Sequence, residues 1–129
     1  MQVILKKEFD KVLEKDWKQL EKKNNFIIFQ TYKWNKEWSK FNNIEYKLLI
    51  FVVYSDNNPI AIFPFCKQKK FFFNILKWIG HDISDYLGPV VDKNYLREKN
   101  SFEIIWKEIL LKTKLECDLI YLDKQTSHK

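Results

Sequence analysis

Three apolar runs follow one another in the middle of the chain, Tyr46–Tyr54, Ile60–Lys67 and Phe71–Ile79, with only a few polar residues between them. Each is rich in β-branched and aromatic residues and reads as a strand. Tyr46–Tyr54 is apolar almost throughout, as a strand covered on both faces must be. The first break, Ser55-Asp56-Asn57-Asn58-Pro59, is a turn whose Asx side chains can bond their own backbone. Gln68-Lys69-Lys70 is read as the second turn. Connections this short join antiparallel neighbours, so the expectation is a three-strand meander. Pro64 lies inside the second run and has no amide to give a ladder, which implies a bulge or an exposed edge there.

The flanks read as helices. Met1–Leu5 is a short apolar start suited to an edge strand. From Glu8 to Asn24, Phe9, Val12, Leu13, Trp17 and Leu20 recur at helical spacing. A brief apolar link, Phe26–Phe29, precedes Thr31, an N-cap for a helix running to about Phe41. Trp34, Trp38 and Phe41 are expected to be its buried stripe. After Val90-Val91, a further short strand, and a polar connection from Asp92 to Lys99, Asn100 and Glu103 have the spacing of a capping box. The helix that follows carries Phe102, Ile105, Trp106, Ile109 and Leu110 on one face and extends to about Leu115. Leu119–Leu122 is a last strand, and the tail from Gln125 frays. A helical crossover joins this strand to the meander, so it should lie parallel to the meander's last strand.

One polar segment interrupts the apolar middle: Gly80-His81-Asp82-Ile83-Ser84-Asp85-Tyr86-Leu87-Gly88-Pro89, which holds both glycines of the chain. Loops held by a rigid sheet are where binding and catalytic residues concentrate. The plain alternative is a chain reversal in which Asp and Ser satisfy backbone donors. His81, Asp82 or Asp85 could accept a proton, and Tyr86 could donate one or stack on a sugar.

Composition narrows the function classes. In 129 residues, aromatics make up 17%, so rings should fill much of a single-domain core. The net charge of +6 suggests nucleic acid, but Arg97 is the sole arginine and the lysines are scattered. Arginine is the residue suited to bidentate phosphate and base contacts, so specific nucleic-acid binding is disfavoured. Cys66 and Cys117 sit in apolar runs and read as buried thiols rather than a disulfide framework. With His81 and His128 they match no metal-ligand spacing, and no metal site is assigned. No apolar run reaches bilayer length and no signal-peptide core is seen. A cytoplasmic protein is expected, with the inner membrane surface as a further place of work.

Several stretches in order resemble the N-terminal half of the CelD-like and FemAB-like acyltransferases, a GNAT-type group. They are Phe29-Gln30-Thr31-Tyr32-Lys33-Trp34 with Trp38, then Asp56-Asn57-Asn58-Pro59-Ile60-Ala61-Ile62-Phe63-Pro64-Phe65. Trp78-Ile79-Gly80 with Ser84-Asp85-Tyr86-Leu87-Gly88-Pro89, and Cys117-Asp118-Leu119-Ile120-Tyr121-Leu122, complete the likeness. The resemblance implies a mixed α/β, GNAT-like fold: a single domain over residues 1–129, ending after its fifth strand. It implies acyl or aminoacyl transfer to an envelope or polysaccharide precursor, with Asp85 and His81 as catalytic residues. Asp82, Tyr86, Tyr32 and Trp34 are the implied substrate-binding residues, Asp85 being the first choice of base and Tyr86 of platform. No residue is assigned to cofactor binding. Between Val91 and Phe102 there is no glycine, so the close backbone approach of a phosphate-cradling turn is not expected. The acyl-CoA donor is therefore expected in a second GNAT-like half, and the isolated chain is expected to be inactive. The alternative from another class is a non-catalytic module that binds a glycan or a partner.

Overall fold

The computed structural model describes residues 1–23, 28–82, 87–95 and 101–122. One six-stranded sheet organises them, in the order β1 (Gln2–Lys6), β2 (Tyr46–Ser55), β3 (Asn58–Lys70), β4 (Phe73–Trp78), β6 (Leu119–Ile120), with β5 (Val90–Val91) paired to β3. β1 to β4 are antiparallel in sequence, and β6 runs parallel to β4 with Ile75 opposite Leu119. The meander, the parallel last strand and the mixed α/β class are as the sequence led us to expect.

Helices cover both faces. Strand alternation in β2 sends Leu49, Phe51 and Val53 to one side and Ile50 and Val52 to the other. The first side meets Ile105 and Ile109 of α3 (Ser101–Thr113). The second meets Leu13, Trp17 and Leu20 of α1 (Lys11–Lys23) and Trp38 of α2 (Tyr32–Phe41). Rings fill much of both layers: Phe65 and Trp78 lie 4.5 Å apart, and Phe63 packs on Trp106 at 5.6 Å. Both thiols are buried, which raises them; Cys117 is pushed up to about 11.

Local boundaries shift for identifiable reasons. α1 starts at Lys11 rather than Glu8 because the Asp10 carboxylate accepts from the Leu13 amide at 2.8 Å. That bond, then Lys6, holds Asp10 below the ordinary carboxylate range. Phe9 therefore packs from outside the helix, and Val12 is exposed, not on the buried face. Thr31 does cap α2, accepting from the Trp34 amide at 3.3 Å. The buried face of α2 is Tyr32, Asn35 and Trp38, whereas Phe41 is 84% exposed. Asn35 turns the helix that way: its amide donates to Thr31 O at 2.7 Å and Phe29 O at 3.1 Å.

The second hairpin turn is not at the lysines. β3 pairs with β4 as far as Lys70 opposite Phe73, which leaves Phe71 and Phe72 as the two turn residues. The expectations for Asn24, Phe26, Asn100 and the tail from Gln125 lie outside the described residues.

Pro64 marks the point where the sheet's third ladder is broken. On one edge of β3, β4 pairs up to Phe65 opposite Trp78, and β5 resumes at Ile62 opposite Val90. Pro64 O accepts from the Ile79 amide at 2.9 Å, so Pro64 faces that same edge with its missing N–H. A residue without a donor thus sits where the partner strand departs. The segment that leaves at this break is the polar stretch beginning Gly80-His81-Asp82.

Candidate functional site

Gly80 makes the exit possible: its φ of 81° lies in the left-handed region, where a side chain would clash. It delivers His81 between two rings. Trp38 stands 5.9 Å from the imidazole and Tyr46 5.1 Å, both edge-on. Next to it, the Trp38 indole N–H donates to Asp82 Oδ1 at 2.9 Å. One tryptophan therefore fixes both polar residues, one by ring contact and one by hydrogen bond. Tyr46 is mostly buried, which raises its hydroxyl above the ordinary tyrosine range, with the charges of Cys66 and Asp82 acting the same way.

Trp38 and Tyr46 also line a cleft of about 270 Å³ between the end of β1, α2 and the start of β2. Its polar lining comes from Ser39, Asn42 and Asn43, with Lys7, Lys36 and Lys40 opposed by Glu8. The cleft is small beside typical ligand pockets, which begin at about 300 Å³, and suits a sugar-sized group or the tip of a larger one. Amide and hydroxyl groups over aromatic edges can hold a hydroxylated ring.

The sequence-expected residues divide in three. His81 and Asp82 sit beside Trp38, and His81 beside Tyr46, rather than beside Tyr32 and Trp34, and neither lines the cleft. Tyr32 is 3% exposed, its ring enclosed by Phe9 at 5.5 Å and Trp17 at 5.8 Å, so it offers no face to a ligand. Trp34 is half-buried and packs edge-on against Phe29 at 5.3 Å. Asp85 and Tyr86 lie outside the described residues. Tyr46 was missed because it opens an apolar run and reads as strand core; only its position at a strand end hinted otherwise.

Residues 96–100, which enter α3, lie outside the described residues. Among the described residues no helix is long and apolar enough to cross a membrane.

No protein-family model and no curated protein sequence matches the chain. A solved structure does: a GNAT family acetyltransferase from Staphylococcus aureus, with a TM-score of 0.55 and 16% identity. The superposition covers 95% of this chain and 87% of that one. At that identity the likeness concerns architecture, and it agrees with the antiparallel meander, the α3 crossover and the parallel last strand: the chain has a GNAT-like fold.

Proposed function

We propose that this domain is the acceptor-side half of a GNAT-like acyltransferase. It would present an amine or hydroxyl of a sugar or envelope precursor, of the kind CelD-like and FemAB-like enzymes use, to an acyl-CoA bound by a second GNAT-like half. The observation that supports this most is Trp38, which walls an aromatic cleft, meets the His81 imidazole at 5.9 Å and holds the Asp82 carboxylate by its N–H. An acceptor loses a proton as it takes the acyl group, and we assign His81, beside the Trp38 wall of the cleft, to receive it. Asp85 is the other residue assigned that role by resemblance. Asp82 acts by position, holding the Trp38 edge against the imidazole. The lining of Trp38 and Tyr46 also suits a non-catalytic glycan-binding module, which needs the cleft but not the base.

Acceptor binding and transfer separate the two. The Trp38 indole signal in NMR should move on titration with amino sugars or oligosaccharides. Acetyl-CoA alone should give no saturable heat of binding at physiological salt. Transfer should appear once the second half is supplied and fall by about a hundredfold or more in His81→Gln, with acceptor binding kept. Binding with transfer unaffected by His81→Gln removes His81 from the chemistry, and saturable acetyl-CoA binding by the chain alone puts the donor site here instead.

A further inference from the structure

The most exposed apolar side chains among the described residues lie at one end of the sheet. β2 begins there, since Tyr46 stands opposite Gln68 near the end of β3, and β4 begins there after the Phe71-Phe72 turn. β6 starts at the same end because it is parallel to β4. Three connections therefore emerge side by side. The first, between α2 and β2, shows Phe41 at 84% and Ile44 at 96% exposure. The second, the β3–β4 hairpin, shows Phe71 and Phe72 at 91% each and Phe73 at 51%. The third, between α3 and β6, shows Leu115 at 87%. An apolar group on each neighbouring tip is more than scattered surface residues account for.

Charge lies around them. Lys47, Lys69, Lys70 and Lys114 are exposed at this end. The exposed acids among the described residues at this end are Glu8, beside exposed Lys7 after β1, Glu45 and Asp118, and Asp118 is engaged by the Asn74 amide at 2.8 Å. Lys67 is paired with Glu116 at 3.5 Å. The Phe71 backbone adds a second indication. Its φ of 56° belongs to a turn position normally filled by glycine, and a bulky residue there is a conformational outlier. Phenylalanine at a strained, solvent-exposed tip serves neither the turn nor the core.

We propose that this end of the sheet is a membrane-docking face, in which the phenylalanine tip, with Phe41, Ile44 and Leu115, enters the interfacial region of an anionic bilayer while the lysines meet its headgroups. Apolar prongs carried on separate connections fit a deformable lipid surface better than a shaped protein one. The lysines supply the complementary charge for acidic lipids. The docking stands on this end of the sheet alone and holds whether or not the chain transfers acyl groups.

Vesicle flotation tests it, comparing pure phosphatidylcholine with phosphatidylcholine containing phosphatidylglycerol. Binding is expected to the anionic vesicles only and to weaken with salt. Lys69→Gln with Lys70→Gln should lower affinity by about 25-fold, roughly fivefold for each lysine. Phe71→Gly with Phe72→Ser, which suits the turn and so keeps the fold, should reduce it by at least as much. No binding to anionic vesicles overturns the proposal, as does binding unchanged by the phenylalanine pair. If that pair instead abolishes self-association measured in solution, the face is an interface with a second copy, and the lipid assignment is wrong.

Discussion

Trp38 does two jobs that ordinarily fall to different residues. Its ring is core, 4% exposed and 5.3 Å from Tyr46, and its N–H holds the Asp82 carboxylate. Trp38→Phe keeps most of the packing and removes the donor. Asp82 is exposed and can turn to water, so the expected loss is about 1 kcal/mol, read by urea unfolding. The acceptor-dependent shifts at the cleft should weaken far more than stability does, since the carboxylate and imidazole lose their common support. A drop of several kcal/mol would mean that the indole is chiefly structural. The aromatic spacing of α2 marked Trp38 as buried, but nothing in a spacing says where an N–H points. Asn35 shows the complementary blind spot. A polar residue 1% exposed, whose amide N–H groups donate to two carbonyls, sets the rotation of the helix and so decides that Phe41 faces solvent. Apolar periodicity cannot register it.

The two β-hairpins differ in how their chemistry fits their geometry. Between β2 and β3, Asp56 and Asn57 take φ values of 50° and 65°, which short polar side chains tolerate, and the sequence signal for this turn was plain. Between β3 and β4 the polar Gln68-Lys69-Lys70 looked like the turn, yet the strands continue past it and the reversal falls on Phe71-Phe72. Register, fixed by pairing from Phe65 to Lys70, outranked local polarity, and residues suited to a strand were carried to the tip. Phe71→Gly should therefore stabilise the protein by about 1 kcal/mol, because the left-handed conformation costs a non-glycine residue roughly that much. Urea unfolding would show it as a higher midpoint with an unchanged slope. A fall in stability would mean that the exposed ring supports the turn through contacts of its own. The meander itself was readable because three dense β-branched runs leave little else to fold. Pro64 was readable as an irregularity, though not as the place where the candidate site leaves the sheet.

At the scale of the whole molecule the sheet has two unlike borders. β1 ends one side, its Val3 and Leu5 packed on the core beneath. β6 ends the other with two strand residues, and Leu119, Ile120 and Tyr121 are 50%, 42% and 58% exposed. Inward bonds are made, Tyr121 N to Leu76 O at 2.9 Å and Asp118 N to Asn74 O at 2.8 Å. The outward backbone groups of such an edge remain able to pair with another strand, and no charge on Leu119 or Ile120 guards them. We expect the isolated chain to associate through this border, with itself or with a second GNAT-like half. Ile120→Lys places a charge on the edge and should leave a monomer by light scattering across a range of concentrations. Ile120 is partly exposed and its backbone bonds are unaffected by the change, so the fold should survive with little loss of melting temperature. The phenylalanine-tip variant should leave this association intact, because the tip belongs to the end of the sheet and not to its side. A wild-type chain that stays monomeric at high concentration would show that two short, twisted residues are too little edge to recruit a partner, and any second half would then have to dock elsewhere.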